Sequence, residues 1–114
     1  MVNVKVSFYE TVSGRSPVED FLYSCSQDIQ ADFFDAIALL SAGETIQMPL
    51  SRNLSNIFRG LHELRLKDRT GQFRFLYLIK TGDGIFVIHG FKKKTQRLPQ
   101  KELELVLKRI KEIS

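Results

Sequence analysis

Three stretches in the second half of the chain read as β-strands: residues 61–67, where Leu64 and Leu66 alternate with Glu63, Arg65 and Lys67, and the largely apolar runs 73–80 and 85–91. Gly82-Asp83, between the last two, signals a two-residue hairpin, and residues 68–71 form a looser turn. Residues 2–9 alternate as well, with Val2, Val4, Val6 and Phe8 set against Asn3, Lys5 and Ser7. The period changes at Ser16-Pro17-Val18-Glu19. Ser16 suits an N-cap, Pro17 the first helical position, and Glu19 the return contact of a capping box, so a short helix ending near Ser24 is expected. Ile29, Phe33, Ala36, Ile37 and Leu40 form the stripe of a second helix over 27–40, with Asp28, Asp32 and Asp35 as its acidic side. Ala42-Gly43 ends it. Residues 44–58 lack a clear period and contain Pro49, which predicts a connection. Pro99 opens a last helix whose Leu103, Val106, Leu107, Ile110 and Ile113 share one face. The predicted order is β-α-α-β-β-β-α, an α+β single domain spanning residues 1–114, with a small antiparallel sheet and helices mainly on one side.

Turn lengths then set a register. A four-residue loop at 68–71 pairs Lys67 with Gln72, which puts Arg65 opposite Arg74, Leu64 opposite Phe75 and Glu63 opposite Leu76. A two-residue loop at Gly82-Asp83 puts Leu78 opposite Val87, Leu76 opposite His89 and Arg74 opposite Phe91. Opposed residues share a face, and so do alternate residues along a strand. One face collects Leu64, Leu66, Phe73, Phe75, Tyr77, Ile79, Phe86 and Ile88, and is expected to meet the helices. The other collects Glu63, Arg65, Lys67, Arg74, His89, Phe91 and Lys93, with Leu76, Leu78, Ile85 and Val87 toward the hairpin end. A slip of one residue would bury both arginines among phenylalanines, at a cost of several kcal/mol for each unpaired guanidinium.

Charge sharpens this picture. Residues 1–56 carry three Lys/Arg and seven acids, whereas residues 57–114 carry fourteen Lys/Arg and six acids. The net charge of +4 is therefore a basic second half joined to an acidic first half. The single cysteine, Cys25, excludes an intrachain disulfide and a cysteine-based metal site. No metal and no cofactor is expected. The N-terminal residues lack the pattern of a signal peptide, and no apolar run approaches the roughly 20 residues that span a bilayer. A cytoplasmic protein with no membrane partner is expected.

A face crowded with cations fits a polyanion, RNA first. Arg65 and Arg74 offer planar forks to phosphate oxygens, Lys67 and Lys92–Lys94 add point charges, and Phe91 is placed to stack on a base. Such a face is also equipped to cleave RNA. A 2′-hydroxyl attacking the adjacent phosphate needs a base, charge stabilisation and an acid. Arginines suit the second role, and a lysine among cations has a lowered pKa that suits proton transfer. His89 and Glu63 are further proton carriers on this face. His62, opposite Tyr77, reads as structural.

The ordered series Gly60-Leu61-His62-Glu63-Leu64-Arg65-Leu66, Phe73-Arg74-Phe75-Leu76-Tyr77 and His89-Gly90-Phe91-Lys92-Lys93-Lys94-Thr95-Gln96, followed by a charged helix, resembles the RelE/HigB superfamily of toxins, in particular its phage-derived, HigB-like branch. The resemblance implies a toxin of a type II toxin–antitoxin pair that cleaves mRNA on the ribosome without a metal. It also implies a helix-turn-helix antitoxin encoded by a neighbouring gene, and contact with operator DNA only through the antitoxin complex. By position, Arg74 matches the strand arginine at the scissile phosphate, Arg65 and Lys67 the basic pair on the preceding strand, and Lys92, Lys93 and Lys94 the basic cluster after the last strand. Gln96 matches a further contact. Catalytic roles thus fall to Arg65, Arg74 and Lys93, and RNA binding to Lys67, His89, Phe91, Lys92, Lys94 and Gln96. Some relatives place a catalytic tyrosine near the final helix, but this chain has none after Tyr77. Two other functions fit the same face: a ParE-like toxin that inhibits gyrase, and a non-catalytic accessory protein that binds an acidic partner.

Overall fold

A computed structural model describes residues 3–94 and 97–113. Its elements are β1 (Val6–Phe8), α1 (Pro17–Ser24), α2 (Gln27–Ser41), β2 (Ser51–Asn53), β3 (Leu61–Asp68), β4 (Gly71–Lys80), β5 (Gly84–Lys93) and α3 (Gln100–Ile113). Both N-terminal helices start as their caps dictate. Ser16 Oγ accepts from the Glu19 amide at 3.3 Å, and Ser26 Oγ accepts from the Ile29 amide at 3.2 Å.

The α+β class holds, with two refinements. The sheet has five strands in the order β1-β5-β4-β3-β2. It is mixed, because β1 runs parallel to β5 while the other pairs are antiparallel. No short turn joins β1 to β5, so nothing forces them to be antiparallel. The short strand β2, in the stretch read as a connection, pairs with residues 62–64.

Helices cover both faces, not mainly one. On one face α1 and α2 press Val18, Leu22, Ile29, Phe33 and Leu40 onto Leu64, Leu66, Phe73, Phe75 and Tyr77. The Phe33 and Phe75 rings stand 4.7 Å apart. On the other face α3 sets Val106 and Ile110 against Leu61, Leu76, Leu78, Ile88 and Phe91. The amphipathic stripe of α3 needs an apolar surface, and the hairpin end of the expected polar face supplies it.

The β3–β4 register matches the sequence expectation at every predicted pair, Arg65 opposite Arg74 included. The β4–β5 register does so only near the site, where Leu76 faces His89 and Arg74 faces Phe91. At the hairpin end Lys80 pairs with Gly84, so the loop has three residues, and Leu78 faces Phe86 instead of Val87. A β-bulge between Leu76 and Tyr77 absorbs the difference by leaving Ile88 as an extra residue. The bulge turns Ile85 and Val87 toward α1 and α2, and Phe86 and Ile88 toward α3. Gly90 lets α1 close onto the sheet, since a Cβ there would lie 2.8 Å from the Phe21 ring and 2.9 Å from the Phe75 ring.

Candidate functional site

Beyond the end of the α3 core, the same sheet face becomes cationic. Two cross-strand rows build it: Arg65 beside Arg74 and Phe91, then Lys67 beside Gln72 and Lys93. Glu63 lies one step inward on β3, and β2 adds Arg52 directly across from it. Arg65, Lys67, Gln72 and Arg74 line an open cavity of about 320 Å³ with Pro49, Leu50 and Leu66. A second depression continues from Arg65 and Lys67 toward Asp32, Asp35 and Leu39 on α2.

Arg74 departs from the sequence expectation. It does not protrude into solvent, and a carboxylate stands nearby. Only 3% of the residue is exposed, and Glu63 is equally buried. Glu63 Oε1 lies 3.8 Å from Arg74 Nε and 3.9 Å from Arg65 Nε, so a single carboxylate holds the two guanidiniums together. Without it, a cross-strand arginine pair would repel. Arg74 Nη1 donates to the Phe73 carbonyl at 3.2 Å, and Nη2 donates to Gln72 Oε1 at 2.6 Å. Arg74 Nε is buried and has no hydrogen-bond partner. Burial lowers the Arg74 pKa, Glu63 opposes that shift and Arg65 adds to it.

Lys93 is half-buried. Burial lowers its pKa most; Arg74, Arg65 and Arg52 lower it further, and Glu63 pulls it back. Lys67 is exposed at the cavity rim, and Lys94 is exposed just past the end of β5. Lys92 lies on the opposite face, where its Nζ sits 5.6 Å from the centre of the Phe73 ring. Strand alternation separates it from Lys93, so these two lysines do not form one cluster. Gln96 lies outside the described residues.

His89 and Phe91 require correction as RNA contacts, because α3 covers them. Their exposures are 8% and 6%, and their rings stack on each other at 5.5 Å. His89 Nε2 lies 2.7 Å from Glu102 Oε1, and Arg109 Nη1 lies 3.2 Å from Nδ1. An arginine only donates, so Nδ1 must accept and Nε2 must carry the proton that goes to Glu102. Burial lowers the His89 pKa, which agrees with that neutral ring. His62 is structural as expected, stacked on Tyr77 at 5.1 Å.

Sequence reasoning missed Arg52 and Gln72. Arg52 sits in Ser51-Arg52-Asn53, a polar tripeptide with no alternation to mark a strand. Gln72 was in register, but an amide beside charged neighbours gives no signal of its own.

A five-stranded mixed sheet with this element order roughly matches a RelE-like fold. Residues 20–111 match the family described as Phage derived protein Gp49-like (DUF891), and the chain belongs to that family, a RelE/HigB-like toxin family. No curated protein was found to match the sequence. Membership of this family is consistent with a toxin of a toxin–antitoxin system and suggests an antitoxin partner. No helix among the described residues is long and apolar enough to cross a membrane.

Proposed function

We propose that this protein is the toxin of a type II toxin–antitoxin pair and cleaves mRNA on the ribosome in the cytoplasm, in the manner of the HigB-like branch. A helix-turn-helix antitoxin from a neighbouring gene silences it by covering the basic face, and the pair touches operator DNA only through that complex. The observation that carries this reading is the cavity lined by Arg65, Lys67 and Arg74, where the buried Arg74 Nε has an ion pair to Glu63 at 3.8 Å but no hydrogen-bond acceptor. A buried donor without an acceptor costs about 1–3 kcal/mol, and a phosphate oxygen would supply the acceptor.

Cleavage proceeds by attack of a ribose 2′-oxygen on the adjacent phosphorus. The O2′–P bond forms and the P–O5′ bond breaks, which leaves a 2′,3′-cyclic phosphate and a 5′-hydroxyl. Arg65 and Arg74 stabilise the extra negative charge on the crowded phosphate. Lys93, with its lowered pKa, takes the 2′-hydroxyl proton, and the 5′-oxygen is protonated from solvent or the ribosome. Lys67 and Lys94 neutralise neighbouring phosphates.

Primer extension on mRNA after brief expression of the full chain alone tests the proposal. Discrete stops within codons are expected. Arg65→Ala and Arg74→Lys, the latter keeping the buried charge, should each reduce them by about 10²–10³-fold. Stops at the wild-type rate in both variants would refute the assignment. DNA damage without stops would establish gyrase as the target instead.

A further inference from the structure

The outer strand β2 widens the cationic face by one strand. Arg52 is directly across from Glu63 and so shares the face of Arg65, Arg74 and Lys93. The side chain is exposed, and it makes no hydrogen bond or ion pair with the described residues. Glu63, its cross-strand neighbour, is within ion-pair distance of Arg65 and Arg74. Arg52 is thus a guanidinium left to solvent on a face where Glu63 holds Arg65 and Arg74 in place.

Distance separates its role from theirs. Neighbouring strands lie about 4.8 Å apart, so roughly 14 Å of sheet separates the β2 and β5 backbones. The cavity between β3 and β4 is lined by Arg65, Lys67, Gln72 and Arg74 but not by Arg52, which stands one strand further out and one cross-strand row further in. From the geometry we infer that Arg52 is an RNA-binding residue for a phosphate flanking the one at Arg65 and Arg74, and that the ligand is a single strand crossing the sheet from β5 toward β2. This rests on the proposed RNA chemistry of the cavity. A single strand suits the surface because its backbone can follow a shallow, slightly twisted face, whereas a duplex presents a fixed groove.

The test uses the purified full chain and uncleavable RNA carrying 2′-methoxy groups, as a dinucleotide with one phosphate and as a hexanucleotide with five. Arg52→Ala should weaken the hexanucleotide about tenfold at low salt and lower the slope of log affinity against log salt by about 1, leaving the dinucleotide unchanged. Arg52→Lys should restore most of the loss, because a point charge is enough for a flanking phosphate. Arg65→Ala should weaken both ligands. If Arg52→Ala binds the hexanucleotide like the wild type while Arg65→Ala does not, the inference fails and the RNA reading stands. Equal weakening of both ligands by Arg52→Ala would also overturn it, by placing Arg52 at the central phosphate. If neither variant changes binding, the RNA reading falls, and the inference with it. Because Arg52 is exposed, its variants should melt as the wild type does, and a melting curve checks this.

Discussion

At the residue scale, the informative group is the buried pair Glu63 and Arg74 with the partly exposed Arg65 beside them. The sequence placed the arginines side by side because a four-residue turn at 68–71 pairs Arg65 with Arg74, and a slip of one residue would have buried both among phenylalanines. It did not reveal the burial of Arg74. That depends on residues 49–50, which wall the cavity, and on Gln72, which caps an Arg74 nitrogen. His89 and Phe91 were on the correct face, but α3 reaches far enough along it to cover them. The shift at Lys93 gives the first prediction. A base works when deprotonated, and a lowered pKa raises its deprotonated fraction near neutrality. The log of single-turnover cleavage rate should therefore rise with pH and level off below the ordinary lysine value of about 10.4. Lys93→Arg should remove the levelling and cut the rate about 10²–10⁴-fold. An unchanged profile in the variant would exclude Lys93 as the base.

At the scale of elements, turns and caps explain more than propensity does. The β3–β4 turn is tied to the start of α2 through Asp68. Ser26 Oγ donates to one carboxylate oxygen at 2.7 Å, and the Thr70 hydroxyl and amide donate to the other at 2.7 and 2.8 Å. Hydrogen bonds from Thr70 and then Ser26 pull the Asp68 carboxyl down to about 2. A carboxyl with a lower pKa in the folded protein adds stability above its unfolded value of about 3.9, and loses that contribution as pH falls through the folded value. Asp68→Asn should therefore lower the urea midpoint at pH 6. The gap to the wild type should narrow below about pH 4 and close near pH 2. A constant gap across that range would show that the turn is held by something other than ionised Asp68. The hairpin after β4 shows why one element boundary was misread. Ile85-Phe86-Val87-Ile88 is apolar throughout, so either register buries hydrophobic groups and the bulge left no mark in the pattern. In contrast, the stripe of α2 and the caps at Ser16 and Ser26 could be read directly.

At the scale of the molecule, one sheet separates two cores, and the second sets the limit of the site. Leu76, Leu78, Ile85 and Val87 made the hairpin end of the expected polar face apolar, so a cover there was legible in principle, although the bulge puts Phe86 and Ile88 there in place of Ile85 and Val87; its identity as α3 follows from the stripe at Val106 and Ile110. Tyr9 also donates to Glu112, and the Arg109 guanidinium lies 4.8 Å from the Tyr9 ring centre, which binds α3 to the far edge of the sheet. Ile110 is 1% exposed, so Ile110→Ala should cost about 2–5 kcal/mol in chemical denaturation. A loss below 1 kcal/mol would mean that α3 rests on the sheet without contributing a core. The acidic first half and basic second half also acquire a spatial meaning, because the carboxylates of α2 border the depression that leads out of the cationic cavity. The outermost strands, β1 and β2, have three residues each. A foreign chain seeking to extend the sheet finds only a few rungs at either rim, so this phenylalanine-rich protein offers poor seeds for fibrils.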